Sequence, residues 1–453
     1  VVPCFLTTMT TTIGFLTLAV SDLEPIRQFA YLAAAGMVFE LFFAFCFLPP
    51  LLLRLGLRKS APAVAQREQL QWLLMRLARF VRKHAGRTVC VGLFLLVGAV
   101  VAAARVEVST NVVGYFKEKT AVRQAIDFVE NRFNGLSSLD IFITTSQPQG
   151  MKEPRALQAV DAIAQRVEAL AGVDGTMAFP HFIKDMHESF HNEDPAFYRI
   201  PESRALVAQY LLLYAADDIQ EYVNGAYNAT RIMVRTHQHE SAAQARLLDS
   251  IGDIVREETA PDLSVRVTGQ VVQDVAVIDA LVAGQVKSLL LAVVCVSLVM
   301  CLALRSWGLG LLSLLPNVFP ILLNFGVMGI LGIPLNTATV LIAAVALGIA
   351  VDDTIHFLRH FEEGRRKGRS VSAAVQDSLM AKGQALVSSS VILGIGFGIL
   401  MASQFTPTAY FGALSAFIML AALVGDLVFL PAVLLVLGRR GWLPGAVKLE
   451  KHP

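Results

Sequence analysis

Apolar and polar positions divide the chain into two kinds of sequence. Long stretches that are almost free of charge alternate with one extended region in which apolar residues recur at strand and helix spacing. A helix needs about 20 apolar residues to cross a bilayer. Eight stretches meet or approach that length, at 4–20, 28–53, 88–104, 283–304, 308–332, 336–358, 384–402 and 409–437. The pattern therefore predicts a polytopic α-helical membrane protein with eight spans.

The region between the third and fourth spans predicts a mixed domain outside the bilayer. Apolar residues alternate with polar ones over 139–145, as in a half-buried strand, and recur every three or four positions over 154–171, as in a helix. The remaining predicted elements are strands at 173–179, 230–236 and 263–268 and a helix at 242–258. Two successive strand–helix–strand units indicate an α+β ferredoxin-like (βαβ-repeat) domain, whose last helix continues from about Gln270 into the fourth span.

Composition narrows the class of protein. Hydrophobic residues make up 55% of the 453 residues and charged residues 16%, whereas an ordinary soluble protein has about 25% charged residues. The mean hydropathy is +0.58. These values exclude a disordered chain and a soluble nucleic-acid-binding protein. The five cysteines all lie in apolar stretches without metal-ligand spacing, which favours packing over disulfides or metal binding.

Charge separates the two kinds of sequence and predicts their orientation. Residues 107–282 carry 15 Lys+Arg and 25 Asp+Glu, whereas the rest of the chain carries 23 and 11. Basic residues cluster between the second and third spans, between the sixth and seventh, and after the eighth. If every span crosses, these clusters lie on one side, which the positive-inside rule assigns to the cytoplasm. The acidic region 107–282 then lies outside.

Residues 66–84, in the first basic loop, predict an amphipathic helix. Its apolar face carries Leu73, Leu74 and Val81, and another face carries Arg76 and Arg79. Two interpretations stay open: an anchor on the lipid surface, or a connecting helix that packs on the bundle.

The two ends of the chain repeat one another. A shift of 382 residues aligns 13–58 with 395–440 without a gap, and 19 of the 46 positions are identical. Pro25 aligns with Pro407, which apolar composition alone does not explain. Spans 1–2 and 7–8 are therefore copies of one helix pair, a plan common in transporters. The first copy lacks the sequence that precedes the second, and the chain opens on Val1. We therefore expect a C-terminal fragment of a protein with about 300 further residues in front.

No catalytic constellation stands out in the region 107–282. His181, His187 and His191 lie within eleven residues, and the last two have i,i+4 spacing. Because no Cys or clear third ligand accompanies them, the preferred interpretation is solvated histidines and the alternative is a zinc site. The sequence predicts no catalytic, cofactor or metal site.

The most informative stretch is the sixth span, which contains adjacent acids at Asp352 and Asp353. They lie about 10 Å inside Arg359, at a rise of about 1.5 Å per residue, at a depth where a charge is costly. Desolvation and mutual repulsion make it difficult for both acids to stay ionised, so one of them can hold and release a proton. The alternative is a structural role, in which both acids pair with Arg359 or Arg369.

Two residues of the same span are placed to assist such a proton relay. His356 lies four residues after Asp352, on the same helix face, and can share the proton. Gly348 lies four residues before Asp352 and lets another helix approach closely there.

Other polar residues in the spans are candidate partners of the relay. Ser389 and Ser390 begin the seventh span, where their hydroxyls can bind the carboxylates or merely satisfy helix backbone. Glu40 and Asp426 are lone acids in the second and eighth spans. The repeat aligns Asp426 with Ala44, one turn from Glu40, so we expect both acids on equivalent faces.

These residues resemble the resistance–nodulation–division (RND) superfamily, and more closely its lipid-handling branch. That branch contains MMPL exporters, hopanoid exporters and Patched-like proteins with a sterol-sensing domain. Gly348-Ile-Ala-Val-Asp352-Asp353 is similar to its GxxxD(D) motif, and Leu315-Pro-Asn-Val-Phe-Pro320 and Gly332-Ile-Pro-Leu-Asn336 also look familial. The order of elements is similar too: one helix, a large outer domain, then five helices. Where the family often has Tyr beside the Asp, this chain has Asp353.

The resemblance implies twelve spans, of which this chain holds the fifth to the twelfth. It also assigns six segments: the last two spans of the first transmembrane half, a basic cytoplasmic linker with an interfacial helix, a single span, an extracytoplasmic porter domain, a five-helix bundle of the sterol-sensing type and a cytoplasmic tail. Their predicted bounds are 1–58, 59–87, 88–106, 107–282, 283–441 and 442–453.

The function implied is secondary active transport rather than enzyme catalysis. We expect a multi-pass exporter of lipids or other hydrophobic compounds in the inner (plasma) membrane, with the proton as coupling ion and no cofactor. The expected partners are the membrane and the substrate, and not nucleic acid. A homo-oligomer and a periplasmic partner are compatible with the same resemblance. Two alternatives stay open: a non-transporting lipid- or sterol-sensing membrane protein, and an accessory of protein secretion.

Overall fold

The computed structural model describes residues 2–55, 64–133, 137–213 and 219–442. The chain divides into two units, one formed by Ser109–Asp279 and the other by Val1–Val108 together with Ala280–Pro453. Parts of the predicted basic loops and tail, including Lys59 and Lys448, lie outside the described residues.

The elements follow one another in the order that the hydropathy pattern predicts. The helices are α1 (Val2–Leu16), α2 (Glu24–Cys46), α3 (Leu48–Leu55), α4 (Val64–Ala103), α5 (Ala121–Phe133), α6 (Pro154–Glu168), α7 (Phe179–Ser189), α8 (Arg204–Leu213), α9 (Ser241–Glu258), α10 (Gln270–Leu304), α11 (Trp307–Leu312), α12 (Leu314–Leu331), α13 (Thr337–Arg366), α14 (Val371–Ile399), α15 (Thr406–Val424) and α16 (Leu430–Arg439). The strands are β1 (Ser137–Thr145), β2 (Val173–Ala178), β3 (Ala229–Thr236) and β4 (Leu263–Gly269).

The unit Ser109–Asp279 is built on a four-stranded antiparallel sheet with the strand order β2-β3-β1-β4. The alternation of apolar and polar residues along β1 predicts that every second side chain is buried, and the structure agrees. Ile141 and Ile143 of β1 are fully buried, whereas Phe142 between them is exposed on the other face. The buried face packs against Leu157 and Val160 of α6.

Several predicted bounds in this unit differ from the observed ones by one to three residues, and the end of the second strand has a clear physical reason. The strand predicted at 173–179 ends at Ala178, and Phe179 is the first residue of α7. The ring of His181 explains the change, because its Nδ1 accepts a hydrogen bond from the backbone N–H of Ala178 at 3.0 Å and caps the helix. Pro180 in the first turn, which lacks an N–H, is compatible with this helix start.

The other unit contains the apolar helices. Among the described residues, seven helices are long and apolar enough to cross a membrane. The first predicted span, 4–20, corresponds to the shorter apolar helix Cys4–Val20, so the count of eight spans stays a prediction. As predicted, α10 is one continuous helix from Gln270 to Leu304, and the division between the two units falls within it.

The internal repeat is visible in the helix bounds. Helix α2 begins at Glu24 and α15 at Thr406, and α3 begins at Leu48 and α16 at Leu430; each pair differs by the 382-residue shift of the alignment. Each copy enters its longer helix through a short 3₁₀ turn. The copies differ where α15 passes into α16, because the second copy contains a π-helix at Gly425–Phe429 that the first copy lacks.

Helix α13 is the central element of this unit. It packs against α1, α12, α14 and α15, and its buried residues form much of the main hydrophobic core, among them Ile342, Leu347, Val351 and Phe357. A helix that is apolar around most of its circumference needs such a central position. The polar residues that α13 carries are therefore placed among other helices.

The amphipathic segment 66–84 forms the first part of α4, which leaves helical geometry at His84 and then continues to Ala103. Leu74 and Val81 are fully buried in the core of the unit, whereas Leu73 on the predicted apolar face is exposed. This packing favours the connecting-helix interpretation over a lipid-surface anchor.

Candidate functional site

The start of helix α13 determines how far along the helix the two acids lie. The side chain of Asn336 accepts hydrogen bonds from the N–H groups of Ala338 and Thr339, and Thr339 Oγ1 accepts one from Asn336 N–H. This capping box defines the first turn. At 1.5 Å per residue, Asp352 then lies about 22 Å along the helix and about 21 Å before its last residue, Arg366. The acids are therefore in the middle of the helix.

Asp353 faces α14. Its two carboxylate oxygens lie 3.5 Å from Ser389 Oγ and 3.4 Å from Ser390 Oγ. Ser390 is buried, and Asp353 is half-buried. The predicted partners Ser389 and Ser390 therefore lie next to this acid, at distances at the long end for hydrogen bonds.

Asp352 faces α1, on a different side of α13. Thr7, on α1, lies near the Asp352 carboxyl group but donates its own hydroxyl hydrogen to the carbonyl oxygen of Cys4 at 2.9 Å. His356 Nε2 lies 3.4 Å from Asp352 Oδ1. The side chain of Asp352 is 45% exposed on this unit, so Asp352 opens towards the periphery whereas Asp353 lies between packed helices. Glu40 is close enough to act on Asp352 electrostatically.

The hydroxyl residues near the two acids occupy equivalent positions of the repeat. The 382-residue shift aligns Thr7 with Ser389 and Thr8 with Ser390. Helix α13 contacts both α1 and α14, so Asp353 meets the serines of one copy and Asp352 lies near Thr7 of the other. Residues that follow one another on a helix point about 100° apart. Each acid can therefore face a helix of a different copy of the repeat.

Gly348 lies at a close approach of α1 and α13. Thr11 Oγ1 donates a hydrogen bond to the carbonyl oxygen of Gly348 at 2.8 Å. A Cβ atom at Gly348 would stand 3.2 Å from Thr11 Cγ2, and one at Gly14 would stand 3.5 Å from Gly348 Cα. The small residues thus hold α1 against α13 one turn before Asp352.

The two lone acids differ in environment. Asp426 is 1% exposed, in the π-helix, whereas Glu40 is exposed on α2. The π-helix packs against α12, α13, α15 and α4, whereas among the described helices α2 packs mainly on α1. Of the two, only Asp426 lies inside the bundle.

Two residues beside Asp426 were not identified as site residues from the sequence. Thr354 Oγ1 lies 2.7 Å from Asp426 Oδ1 and 3.0 Å from Asn317 Oδ1, and both Thr354 and Asn317 are fully buried. The available signal was polarity alone, because an amide and a hydroxyl inside apolar spans indicate a functional site.

The basic residues considered as structural partners of the acids lie elsewhere. Within the described part of the chain, no ion pair joins Asp352 or Asp353 to Arg359 or Arg369. Arg369 forms an ion pair with Asp377 on α14, and Arg359 is half-buried, its Nη1 without a hydrogen-bond partner. The geometry therefore gives no support to the interpretation of the acids as salt-bridged helix ends.

Two of the three candidate histidines of the Ser109–Asp279 unit, His187 and His191, contact each other with ring centroids 4.6 Å apart. His187 is 6% exposed, so the interpretation as a solvated side chain is wrong for this residue. Its Nδ1 lies 2.9 Å from the hydroxyl of Tyr210, and the ring of His191 stacks on Phe197. These aromatic contacts explain why His187 is buried without a metal ligand set.

Burial, together with the positive charges of His191 and Arg199, lowers the pKa of His187. The unfolded chain, with a histidine pKa of about 6.5, then binds this proton more readily than the folded unit. We therefore expect the unit to lose stability as the pH falls below about 6.5. Thermal unfolding of the whole protein between about pH 7.5 and pH 5.5 tests this expectation. His187→Gln should weaken the pH dependence, and an unchanged dependence would contradict the assignment.

The comparison with known proteins identifies the family. A model of the MMPL family matches residues 115–452, which is most of the chain. This chain belongs to the MMPL family. The predicted resemblance to the MMPL and sterol-sensing branch of the RND superfamily is thereby confirmed. The MMPL protein is a multi-pass membrane protein related to transporters rather than to enzymes.

Several relatives support this assignment. A membrane protein of Methanocaldococcus jannaschii is 21% identical over 377 residues, which cover 81% of the MMPL protein and 94% of the relative. MmpL12 of Mycobacterium tuberculosis, described as a transport protein, is 30% identical over 109 residues, which cover 23% and 9%. Patched homolog 1 of Danio rerio is 28% identical over 138 residues, which cover 30% and 11%. The MMPL protein thus spans nearly all of the archaeal relative and a small part of the other two.

A solved structure shows the same fold. The hedgehog release protein Disp from the water bear Hypsibius dujardini matches with a TM-score of 0.65 at 16% identity, over 96% of the MMPL protein and 58% of that chain. At this identity the likeness concerns the fold alone. It supports the polytopic membrane architecture of the MMPL protein.

Proposed function

We propose that this MMPL protein is a secondary active transporter that exports a lipid or another hydrophobic compound across the inner (plasma) membrane, driven by the proton gradient. One observation carries the proposal: adjacent carboxylates lie in the middle of the central helix, Asp353 beside Ser389 and Ser390 of one copy of the repeat and Asp352 near Thr7 of the other. A charge at such depth is costly, so an ionisable residue there is a candidate functional group.

The relay uses the different surroundings of the two acids. Asp352 lies on the exposed side of the unit with His356 beside it, and in this proposal the pair takes up and releases the proton. Asp353 lies between packed helices and holds a proton against Ser389 and Ser390. Each elementary charge that moves across 100 mV supplies about 2.3 kcal/mol, which is available for moving the helices that contact α13.

We further propose that the Ser109–Asp279 unit is a ferredoxin-like porter domain outside the cytoplasm. Read from the other edge, its strand order is β4-β1-β3-β2, which is that of a split βαβ fold. The Lys and Arg residues that cluster in the predicted loops on the opposite side of the spans support this location by the positive-inside rule. Since α10 is continuous from Gln270 to Leu304, movement of its membrane segment is passed along the chain into this unit.

Transport in reconstituted vesicles tests the proposal. The purified protein is placed in liposomes that contain phosphatidylethanolamine with a fluorescent headgroup, and a pH gradient is imposed. We expect the labelled lipid to change leaflet faster with the gradient than without it, and a protonophore to remove the difference. Lipid binding without any effect of the gradient would overturn the proposal in favour of a lipid sensor.

A further inference from the structure

The hydroxyl of Thr354 connects three parts of the bundle at a buried point. Its Oγ1 lies 2.7 Å from Asp426 Oδ1 in the π-helix and 3.0 Å from Asn317 Oδ1 on α12. Thr354 itself belongs to α13 and follows Asp353 directly in the sequence. Asp426, Thr354 and Asn317 are all at most 1% exposed, so their hydrogen bonds must be satisfied by one another or by their immediate neighbours.

The orientation of the Asn317 amide is fixed by its other contact. Asn317 Nδ2 donates a hydrogen bond to the carbonyl oxygen of Ser313 at 2.7 Å. A reversed amide would place two acceptors against each other at that distance. The oxygen of the amide therefore faces Thr354, and it can only accept.

A count of hydrogens then decides the state of Asp426. A threonine hydroxyl has one hydrogen, and an ionised carboxylate can only accept. With Asp426 ionised, Thr354 would have one hydrogen for two acceptors, and the acceptor left without a donor would cost about 1–3 kcal/mol. With Asp426 protonated, Asp426 donates to Thr354 and Thr354 donates to Asn317. Only the protonated form satisfies both short contacts.

We propose that Asp426 is a proton-binding site, loaded in this arrangement, and that Thr354 reverses its hydroxyl when the proton leaves. In the unloaded state Thr354 donates to Asp426, and the Asn317 oxygen loses its donor. Release of one proton from the π-helix is thereby transmitted to α12 through a residue of α13. The π-helix supports this assignment, because π-helical turns are frequent at functional sites.

The charged neighbour of this site is Asp353. It acts on Asp426 electrostatically from α13, whereas α12 presents Pro316 and Asn317 and α4 presents Gly92 and apolar side chains to the π-helix. Two nearby carboxylates resist simultaneous ionisation. When Asp353 loses its proton, release of the proton from Asp426 is therefore expected to become less favourable. The link between Asp426 and transport rests on the proposed function.

Infrared spectroscopy of the whole protein in lipid tests the proposal. At about pH 7 we expect a carbonyl-stretch band of a protonated carboxylic acid that Asp426→Asn removes. Asp377→Asn, which changes an exposed acid on α14, should keep the band. Thr354→Val should shift its frequency because the hydroxyl acceptor is lost, and Thr354→Ser should restore it. Because the amide N–H₂ of Asn can donate to Thr354, we also expect Asp426→Asn to unfold at the wild-type temperature.

The outcomes separate this inference from the proposed function. A wild-type protein without the band, or a band that Asp426→Asn leaves unchanged, would overturn the inference. A large drop in the unfolding temperature of Asp426→Asn would also count against it, because a neutral isostere should preserve the hydrogen bonds. If the band behaves as expected while the pH gradient has no effect on lipid movement, Asp426 binds its proton and the proposed function fails instead.

Discussion

Asp353→Asn is expected to reduce gradient-driven lipid movement to the level of empty vesicles, the largest effect on function that we predict. The amide keeps the size and polarity of the side chain and its contacts with Ser389 and Ser390, but it cannot bind or release a proton. A partial loss is expected for Ser389→Ala combined with Ser390→Ala, since the acid would remain and only its hydroxyl partners would be removed.

The control for this experiment is Asp377→Asn, an equal change on α14 at an exposed ion pair with Arg369. Both variants should be expressed and unfold at similar temperatures. A difference in transport between them then arises from the loss of the Asp353 carboxyl group and not from loss of folding. Wild-type transport by a well-folded Asp353→Asn protein would exclude Asp353 as a proton carrier.

Gly329→Ala is expected to have the largest effect on stability. Helix α12 crosses α4 so closely that a Cβ atom at Gly329 would clash with the carbonyl oxygen of Ala102, and one at Gly326 would stand 2.8 Å from Ala99 Cα. Because both obstacles include backbone, a rotamer change cannot relieve them. Overpacking of this kind typically costs about 1–3 kcal/mol, and the two helices must separate to accept it.

Gly398→Ala is the matched control for this prediction. This glycine lies in α14, and the position that the added methyl group would take has no neighbouring heavy atom within 4 Å. Ala is favoured over Gly in a helix by about 1 kcal/mol. Thermal unfolding in detergent should show a clearly lower midpoint for Gly329→Ala and an unchanged or higher one for Gly398→Ala. Equal midpoints would mean that α4 and α12 do not approach as closely as described.

The sequence predicts the elements well because hydrophobic periodicity is a local property. The strands around Ile141 and Val234 and the continuous helix from Gln270 follow from spacing alone. The start of α7 at Phe179 was missed, because it depends on a cap from the His181 ring. The burial of His187 was missed for a similar reason, since its partner Tyr210 is 23 residues away in the sequence.

The sequence predicts only those residues of the candidate site that lie on the same helix. Asp352, Asp353, His356 and Gly348 share α13, so their spacing is readable from the sequence. Which helices lie beside α13 is a tertiary property, and it determines that Thr354 meets Asn317 and Asp426. That Thr7 and Ser389 are equivalent positions follows from the repeat, but their placement beside the two acids follows only from the packing of the helices. The roles of these residues in transport stay predictions.

Proton movement itself is the most direct test of the central claim, that Asp352 and Asp353 bind and release protons. A pH-sensitive dye enclosed in vesicles containing the purified protein reports the rate at which an imposed pH gradient decays. We predict that the wild-type protein speeds this decay in the presence of lipid substrate. The double variant Asp352→Asn/Asp353→Asn should decay no faster than empty vesicles. A double variant with the wild-type rate would contradict the account.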